Sequence, residues 1–152
     1  MPNKVNKRYK EDLIMGENGE EFTQPLLERV FGKLVKTKNK YDTFDFMNKE
    51  YIIELKTRSC NHDAFDRNGG LMFNYSKIEK MLKSKDKRET YFAFNCLDGI
   101  YYWKYEEGNY TRSRGGRNDR NCNEYRDMAN VLSKDMVSLY KKPNWLDECL
   151  ID

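Results

Sequence analysis

An amphipathic helix is predicted near the start of the chain. From about Asn18, apolar residues recur at steps of three and four positions, which places them along one stripe of a helix. The stripe consists of Phe22, Leu26, Leu27, Val30, Phe31 and Leu34. Pro25 lies within it, so the main helix either begins at Pro25, after a separate turn that carries Glu20, or is kinked there.

Two β-hairpins are predicted further along the chain. Residues 41–47 and 51–56 are rich in β-forming residues and flank the turn-forming pair Asn48-Lys49. Residues 90–96 and 100–105 form the clearest hairpin pattern, with Asp98-Gly99 between them.

Less regular segments lie between and after the hairpins. A polar loop is predicted over 57–70, and residues 71–73 can add a short strand. A basic loop follows the second hairpin to about Glu124, and one further element is expected around 128–140.

A second helix is predicted from Asn74 or Ser76 to about Lys85. Its buried face is expected to consist of Ile78, Met81 and Leu82. The order of elements is then α, β, β, an optional β, α, β, β. This order predicts a mixed β-sheet flanked by helices, an α/β or α+β fold.

Composition favours one folded domain over residues 1–152. The chain of 152 residues has the common size of a single domain. Charged residues make up 35% and the mean hydropathy is −0.99, values that alone would suggest disorder, but 14% aromatic residues indicate a packed interior. The formal net charge of +3 is too small to indicate a nucleic-acid partner by itself.

Cysteine usage and hydropathy exclude several classes of protein. Four scattered cysteines, no Cys-x-x-Cys pair and a single histidine argue against a disulfide framework or a structural zinc site. No signal-peptide pattern and no stretch approaching eighteen apolar residues is present, so no membrane span is expected. We therefore expect an intracellular protein.

The strand YIIELK carries a candidate site. Side chains alternate along a strand, so Ile52, Glu54 and Lys56 share one face. A carboxylate and an ammonium on a partly covered face are costly to desolvate, and a bound divalent cation would offset that cost. Hard cations such as Mg²⁺ prefer carboxylate oxygens and are commonly held by one or two carboxylates.

The preceding strand is expected to supply a second carboxylate. If Asn48-Lys49 is a two-residue turn, Asp45 opposes Ile52 and shares the face of Glu54. A three-residue loop would place Asp42 on that face instead. Asp45 is preferred, and Asp42 remains the alternative.

These residues match a known motif. Asp45 is followed nine positions later by Glu54-Leu55-Lys56, and upstream the segment 16–20 reads Gly-Glu-Asn-Gly-Glu. Together they resemble the PD-(D/E)XK nuclease superfamily, in which a helix glutamate, a strand acid and an E-x-K follow in this order. The resemblance extends from Gly16 to Cys96 and is nearest to small resolvase-like nucleases of large DNA viruses and phages. Phe44 stands where the superfamily often has proline.

The resemblance implies a restriction-endonuclease-like αβββαβ core and a metal-dependent nuclease. Asp45 and Glu54, helped by Glu20, would bind Mg²⁺ or Mn²⁺, and Lys56 would position or deprotonate the attacking water. Glu20 is preferred to Glu21 because it lies on the apolar side of the helix. The catalytic set is therefore Glu20, Asp45, Glu54 and Lys56.

Cationic residues around this motif are candidates for binding nucleic acid. Arg58 lies two positions beyond Lys56, and the second helix often brings a polar residue to such sites, here Lys77 or Tyr75. A Gly-rich loop carries four further arginines suited to sequence-independent phosphate contacts. They are Arg112, Arg114, Arg117 and Arg120.

The expected function is an Mg²⁺- or Mn²⁺-dependent endonuclease acting on DNA, with a junction or a flap as candidate substrates. An RNA substrate would fit the same residues. The alternative is a catalytically inactive nucleic-acid-binding domain or a protein-interaction α/β domain. A symmetric homodimer would suit paired cuts and stays an alternative to a monomer. The expected location is the cytoplasm or the site of DNA replication.

Overall fold

The computed structural model describes residues 19–37, 44–115 and 126–143. Within these residues the chain forms two α-helices, nine strands and two short 3₁₀ turns. In chain order the helices and strands are α1 (19–31), β1 (Val35–Lys36), β2 (Phe46–Met47), β3 (Tyr51–Thr57), β4 (Leu71–Asn74), α2 (Ser76–Lys83), β5 (Glu89–Asn95), β6 (Gly99–Lys104), β7 (Thr111–Gly115), β8 (Arg126–Val131) and β9 (Val137–Lys141).

The described strands form two sheets. The larger sheet has six strands in the order β1-β2-β3-β5-β6-β9, and the smaller has three in the order β4-β8-β7. Only the β3–β5 pair is parallel among them. A parallel pair needs a long crossover, and here the crossover contains β4 and α2.

Each face of the six-stranded sheet is covered by its own apolar cluster. On one face α1 packs on a cluster consisting of Leu27, Phe31, Leu34, Phe46, Ile53, Leu55 and Ala93. On the other face, α2 and the smaller sheet bury a second cluster consisting of Phe44, Ile52, Leu71, Phe73, Ile78, Phe92, Phe94, Cys96, Tyr101, Trp103, Ala129 and Val131. The alternation along β3 sends Ile53 to the first cluster and Ile52 to the second, as a two-sided strand requires.

The predicted fold class is confirmed: the chain is an α+β protein with a mixed sheet flanked by two helices. The third strand differs from the prediction. Residues 71–74 do form a strand, but it pairs with β8 in the smaller sheet. The strand that joins the first hairpin is β1, which has only two residues, both exposed, and therefore no hydrophobic pattern.

The predicted helix stripes are partly wrong. Phe22 and Val30 are 49% and 48% exposed, whereas Thr23 is fully buried. The helical assignment runs through Pro25 without a break, so the buried side follows the spacing of Thr23, Leu27 and Phe31.

The second helix shows a similar error. Its predicted length is nearly right, but Leu82, predicted to be buried, is 51% exposed. Ile78 is its fully buried residue.

The C-terminal prediction also needs correction. The basic segment was expected to be a loop, but residues 111–115 form β7 by pairing with β8. The single element expected around 128–140 is two strands, β8 and β9. No helix in the described part of the chain is long and apolar enough to span a membrane.

Candidate active site

The turn between β2 and β3 determines which residues meet across the hairpin. The side chain of Asn48 accepts hydrogen bonds from the main-chain N–H groups of Glu50 and Tyr51, each at 2.9 Å. This longer turn pairs Met47 with Ile52 rather than with Glu50. The predicted register is therefore wrong by two residues. An even shift keeps every side chain on its predicted face.

Asp45 lies just beyond the last regular pair of this hairpin. Its main-chain N–H donates to the carbonyl of Ile53 at 3.0 Å, and its carbonyl accepts from Thr37 at 2.9 Å. Its side-chain Oδ2 accepts from the N–H of Leu55 at 2.8 Å. These contacts hold the carboxylate against β3. Asp42, the alternative ligand, lies outside the described residues.

Glu54 is the most buried carboxylate of the predicted set, with 4% exposure. Its Oε1 lies 3.0 Å from Nζ of Lys56 and 3.5 Å from Nζ of Lys77. Its other oxygen, Oε2, is buried and has no hydrogen-bond partner among the described residues. An unsatisfied buried carboxylate oxygen is costly, so a further cation or donor would stabilise it.

The pKa of Asp45 is shifted by burial and by the charged groups around it. Burial, together with the negative charges of Glu54 and Glu20, raises the pKa of Asp45 to about 7, against the lowering effects of the Leu55 hydrogen bond and the Lys56 charge. A carboxyl group with a strongly raised pKa is a frequent feature of functional sites. The same interactions show that the four predicted catalytic side chains lie in one neighbourhood.

A close approach of α1 to the sheet brings Glu20 into this neighbourhood. A Cβ atom at Gly19 would lie 2.7 Å from Oγ1 of Thr57 and 3.1 Å from Nδ2 of Asn95, so a larger residue would force these side chains to shift. Glu20 follows it directly, and its Oε2 lies 2.9 Å from Nζ of Lys36. The Gly-Glu step of the motif thus has a structural reason.

The donor set fits a hard divalent cation in its chemistry. It offers carboxylates from α1, the β2 end and β3, and one of their oxygens lacks a partner. The ligand atoms of these three carboxylates do not all lie within 4.8 Å of one another. Among the described residues, one group of three potential ligand side chains brings its ligand atoms within 4.8 Å of one another, and that group is His62, Asp63 and Asp98.

Sequence reasoning missed this second group. Asp98 accepts from the main-chain N–H of His62 at 3.0 Å and from the hydroxyl of Tyr101 at 3.2 Å, and its Oδ2 lies 2.5 Å from Nδ1 of His62. The imidazole stacks on Tyr101 with ring centroids 3.9 Å apart. The one available signal was that His62 is the only histidine of the chain. Its carboxylate Asp98, unlike Glu54, is already well supplied with donors.

The residues predicted to contact nucleic acid lie in different parts of the chain. Lys77 lies at Glu54, as described above. Arg58 follows β3, and its guanidinium donates to the carbonyls of Thr57 and Met72. Arg112 and Arg114 lie on the exposed strand β7. Arg117 and Arg120 lie outside the described residues.

Comparisons with models of protein families, with curated proteins and with solved structures give no match for this chain.

Proposed function

We propose that this chain is a divalent-metal-dependent endonuclease that hydrolyses phosphodiester bonds in DNA. One observation carries the proposal. Glu54 is buried close to Asp45, with one oxygen that lacks any partner, and burial and the charge of Glu54 raise the pKa of Asp45 to about 7. Lys56 and Lys77 both contact Oε1 of Glu54. Oε2 of Glu54 and the carboxylate of Asp45 therefore remain as ligands for a cation.

Asp45 and Glu54 would hold Mg²⁺ or Mn²⁺, with Glu20 as a third ligand directly or through water. Such an ion, when bound, polarises a phosphate oxygen and makes a bound water more acidic. The arrangement of elements adds support. The sequence α1, the antiparallel set β1 to β3, α2, and then β5 parallel to β3 follows the αβββαβ order expected from the resemblance.

The chain's own lysines would act on the phosphate. Lys56 and Lys77 bring two ammonium groups to one carboxylate, so a phosphate that enters beside Glu54 meets two positive charges. Lys56 can donate a hydrogen bond to the attacking water or to the phosphate oxygen that gains charge in the transition state. Lys77 can bind a neighbouring phosphate oxygen from the side of α2.

The test is cleavage of end-labelled single-stranded, duplex, flap and four-way-junction DNA in Mg²⁺, in Mn²⁺ and in EDTA. We expect metal-dependent cleavage by the wild type and none by Glu54→Ala. Glu89→Ala is a matched control, because Glu89 also pairs with a lysine, Lys104 at 3.3 Å, but is 47% exposed and lies on the opposite face of the sheet from Glu54. Its cleavage rate should equal that of the wild type.

The opposite results have definite meanings. Cleavage that survives both Glu54→Ala and Lys56→Ala in purified protein would reject this site. DNA binding without cleavage under every metal condition would favour the inactive nucleic-acid-binding domain. Neither binding nor a metal-dependent change in melting temperature would favour the protein-interaction domain.

A further inference from the structure

An aromatic ring and a guanidinium group are stacked on the surface beside the candidate active site. Cζ of Arg112 lies 3.8 Å from the centroid of the Tyr75 ring, a separation typical of stacked groups. The Arg112 side chain is 51% exposed, and among the described residues it forms one loose ion pair, in which its guanidinium lies 3.5 Å from Oδ2 of Asp127. A flat cationic group is therefore fixed in position while much of its surface still meets solvent.

This pair is linked to the proposed site through the start of α2. Tyr75 is the residue immediately before α2, and two positions later Lys77 reaches to within 3.5 Å of Oε1 of Glu54. The same short segment thus connects the stacked pair to the buried carboxylate. We expect a strand whose base stacks on Arg112 to pass along this segment toward Lys77.

The register of the smaller sheet aims Arg112 toward this site. Phe73, Ala129 and Arg112 lie in one row across β4, β8 and β7, and the first two are buried in the core against α2. Side chains in one row share a face, so Arg112 points to the α2 side. Arg114, two positions along the exposed strand β7, points the same way.

Further rings support Tyr75 from behind. The ring centroid of Tyr110 lies 6.4 Å from that of Tyr75 and 5.9 Å from that of Trp103, whose side chain is 1% exposed. Packing against a buried tryptophan restricts how far these rings can move. Tyr75 thus lies at the edge of an aromatic cluster that extends to the buried Trp103.

We propose that Tyr75 and Arg112 form a stacking platform for an unpaired base next to the cleaved phosphate, which makes the substrate DNA with a single-stranded segment at the cut. This inference rests on the proposed nuclease function. A base can stack on a guanidinium plane only when its own face is open, and in a duplex both faces are covered by neighbouring base pairs. Arginines that merely attract duplex phosphates have no need of a fixed aromatic support.

The experiment measures DNA binding in EDTA, where no cleavage occurs. Oligonucleotides carry 2-aminopurine either in a single-stranded flap or within a duplex, and affinity is read from anisotropy while stacking is read from fluorescence quenching. We expect quenching in the flap alone. Tyr75→Leu and Arg112→Lys should weaken flap binding by about 5- to 100-fold, the range for one lost stacking contact, and abolish the quenching.

Arg112→Lys is informative because it keeps the charge and removes the planar group. Lys104→Ala is the matched control: its ion pair with Glu89, at 3.3 Å, is as exposed as that of Arg112, but its strand position places it on the α1 side with Tyr102. The control should bind the flap nearly as the wild type does. Melting curves of each variant confirm that the fold is intact.

Two outcomes would overturn the platform. One is wild-type binding and quenching by Arg112→Lys, which would leave Arg112 as a simple charge. The other is an equal loss of affinity for duplex and flap in Tyr75→Leu. Either result leaves the nuclease proposal standing if Glu54-dependent cleavage is observed. Conversely, quenching without any cleavage would retain the platform and reject the nuclease.

Discussion

Two clusters of acidic side chains, one with Asp45 and Glu54 and the other with Asp98 beside His62, differ in how their carboxylate oxygens are hydrogen-bonded. Asp45 and Glu54 are held together by the fold, burial raises the pKa of Asp45 to about 7, and one oxygen of Glu54 has no partner. Burial alone would also raise the pKa of Asp98, yet hydrogen bonds from His62 outweigh it and lower that pKa below 3.8. The first group therefore has a buried oxygen without a partner among the described residues, whereas Asp98 accepts hydrogen bonds from His62 and Tyr101.

Short distances between potential ligand atoms do not by themselves indicate a metal site. His62, Asp63 and Asp98 bring their ligand atoms within 4.8 Å of one another, closer than the predicted catalytic carboxylates come. Their hydrogen bonds and the stacking on Tyr101 explain that closeness without an ion. The unpartnered oxygen of Glu54, by contrast, has no such explanation within the described residues. The two groups should therefore respond differently to mutation, pH and metal.

The largest difference is expected in catalysis. Lys56→Ala should lower the cleavage rate by about 10²- to 10⁴-fold, because the ammonium acts on the water or phosphate in the transition state. DNA binding in EDTA should be retained. His62→Ala should leave the cleavage rate unchanged. A larger loss in His62→Ala than in Lys56→Ala, measured under single-turnover conditions, would reverse the assignment of the two groups.

The next difference concerns stability and pH in the absence of metal. The pKa of Asp45 is raised from 3.8 to about 7, so the folded protein binds a proton in this window that the unfolded chain does not. The stability that neutral Asp45 allows is complete below the unfolded pKa and is lost as pH rises through about 7. In EDTA at pH 8, Asp45→Asn should be more stable than the wild type, by up to about 4 kcal/mol.

Urea unfolding at pH 4 and at pH 8 measures this effect. The gain from Asp45→Asn should be present at pH 8 and absent at pH 4. An equal effect of the substitution at both values would show that ionisation of Asp45 is not a burden to the fold.

Mn²⁺ should stabilise the folded protein through Asp45 and Glu54, and not through the group around Asp98. If Mn²⁺ binds the carboxylates in the folded state alone, it should stabilise the wild type by about 2.7 kcal/mol at a concentration of 100 times Kd. The increase in melting temperature should disappear in Glu54→Gln and persist in Asp98→Asn. Its disappearance in Asp98→Asn instead would make the His62 group the metal site.

The smallest effect is expected at Asp98. Its lowered pKa means that it contributes stability above the unfolded value of 3.8, and this contribution is lost as pH falls through the folded pKa. Asp98→Asn should therefore cost about 1–2 kcal/mol at pH 7, the usual cost of weakening a charge-assisted hydrogen bond. Urea unfolding at pH 7 and pH 3 should show the difference shrinking at the lower pH. A growing difference would contradict the sign of the shift.

Sequence reasoning found the candidate site because it depends on local patterns. The two-residue period of β3 places Glu54 and Lys56 on one face whatever the neighbours are. Asp45 was assigned to that face with the wrong register, and the face was unaffected because the shift was even. The turn geometry set by Asn48 requires knowledge of side-chain hydrogen bonds that a pattern does not contain.

The sequence pattern does not predict contacts between segments that are distant in the chain. The pairing of His62 with Asp98 joins a polar loop to a hairpin turn 36 positions away, and neither segment carries a periodic signal. Strand β7 was expected to be a loop because its residues Thr-Arg-Ser-Arg-Gly have little apolar character, and it becomes a strand by pairing with β8. Tyr75 was considered only as a polar residue of the second helix, so its stacking with Arg112 was not foreseen.

The central claim is that the buried carboxylates, and not the histidine group, support metal-dependent hydrolysis. The most direct test compares the rates of Mn²⁺-dependent cleavage of a flap substrate by the wild type, Glu54→Gln and Asp98→Asn. We predict full activity in the wild type and in Asp98→Asn, and no activity above the EDTA background in Glu54→Gln. Wild-type cleavage by Glu54→Gln, or its loss in Asp98→Asn alone, would contradict the account.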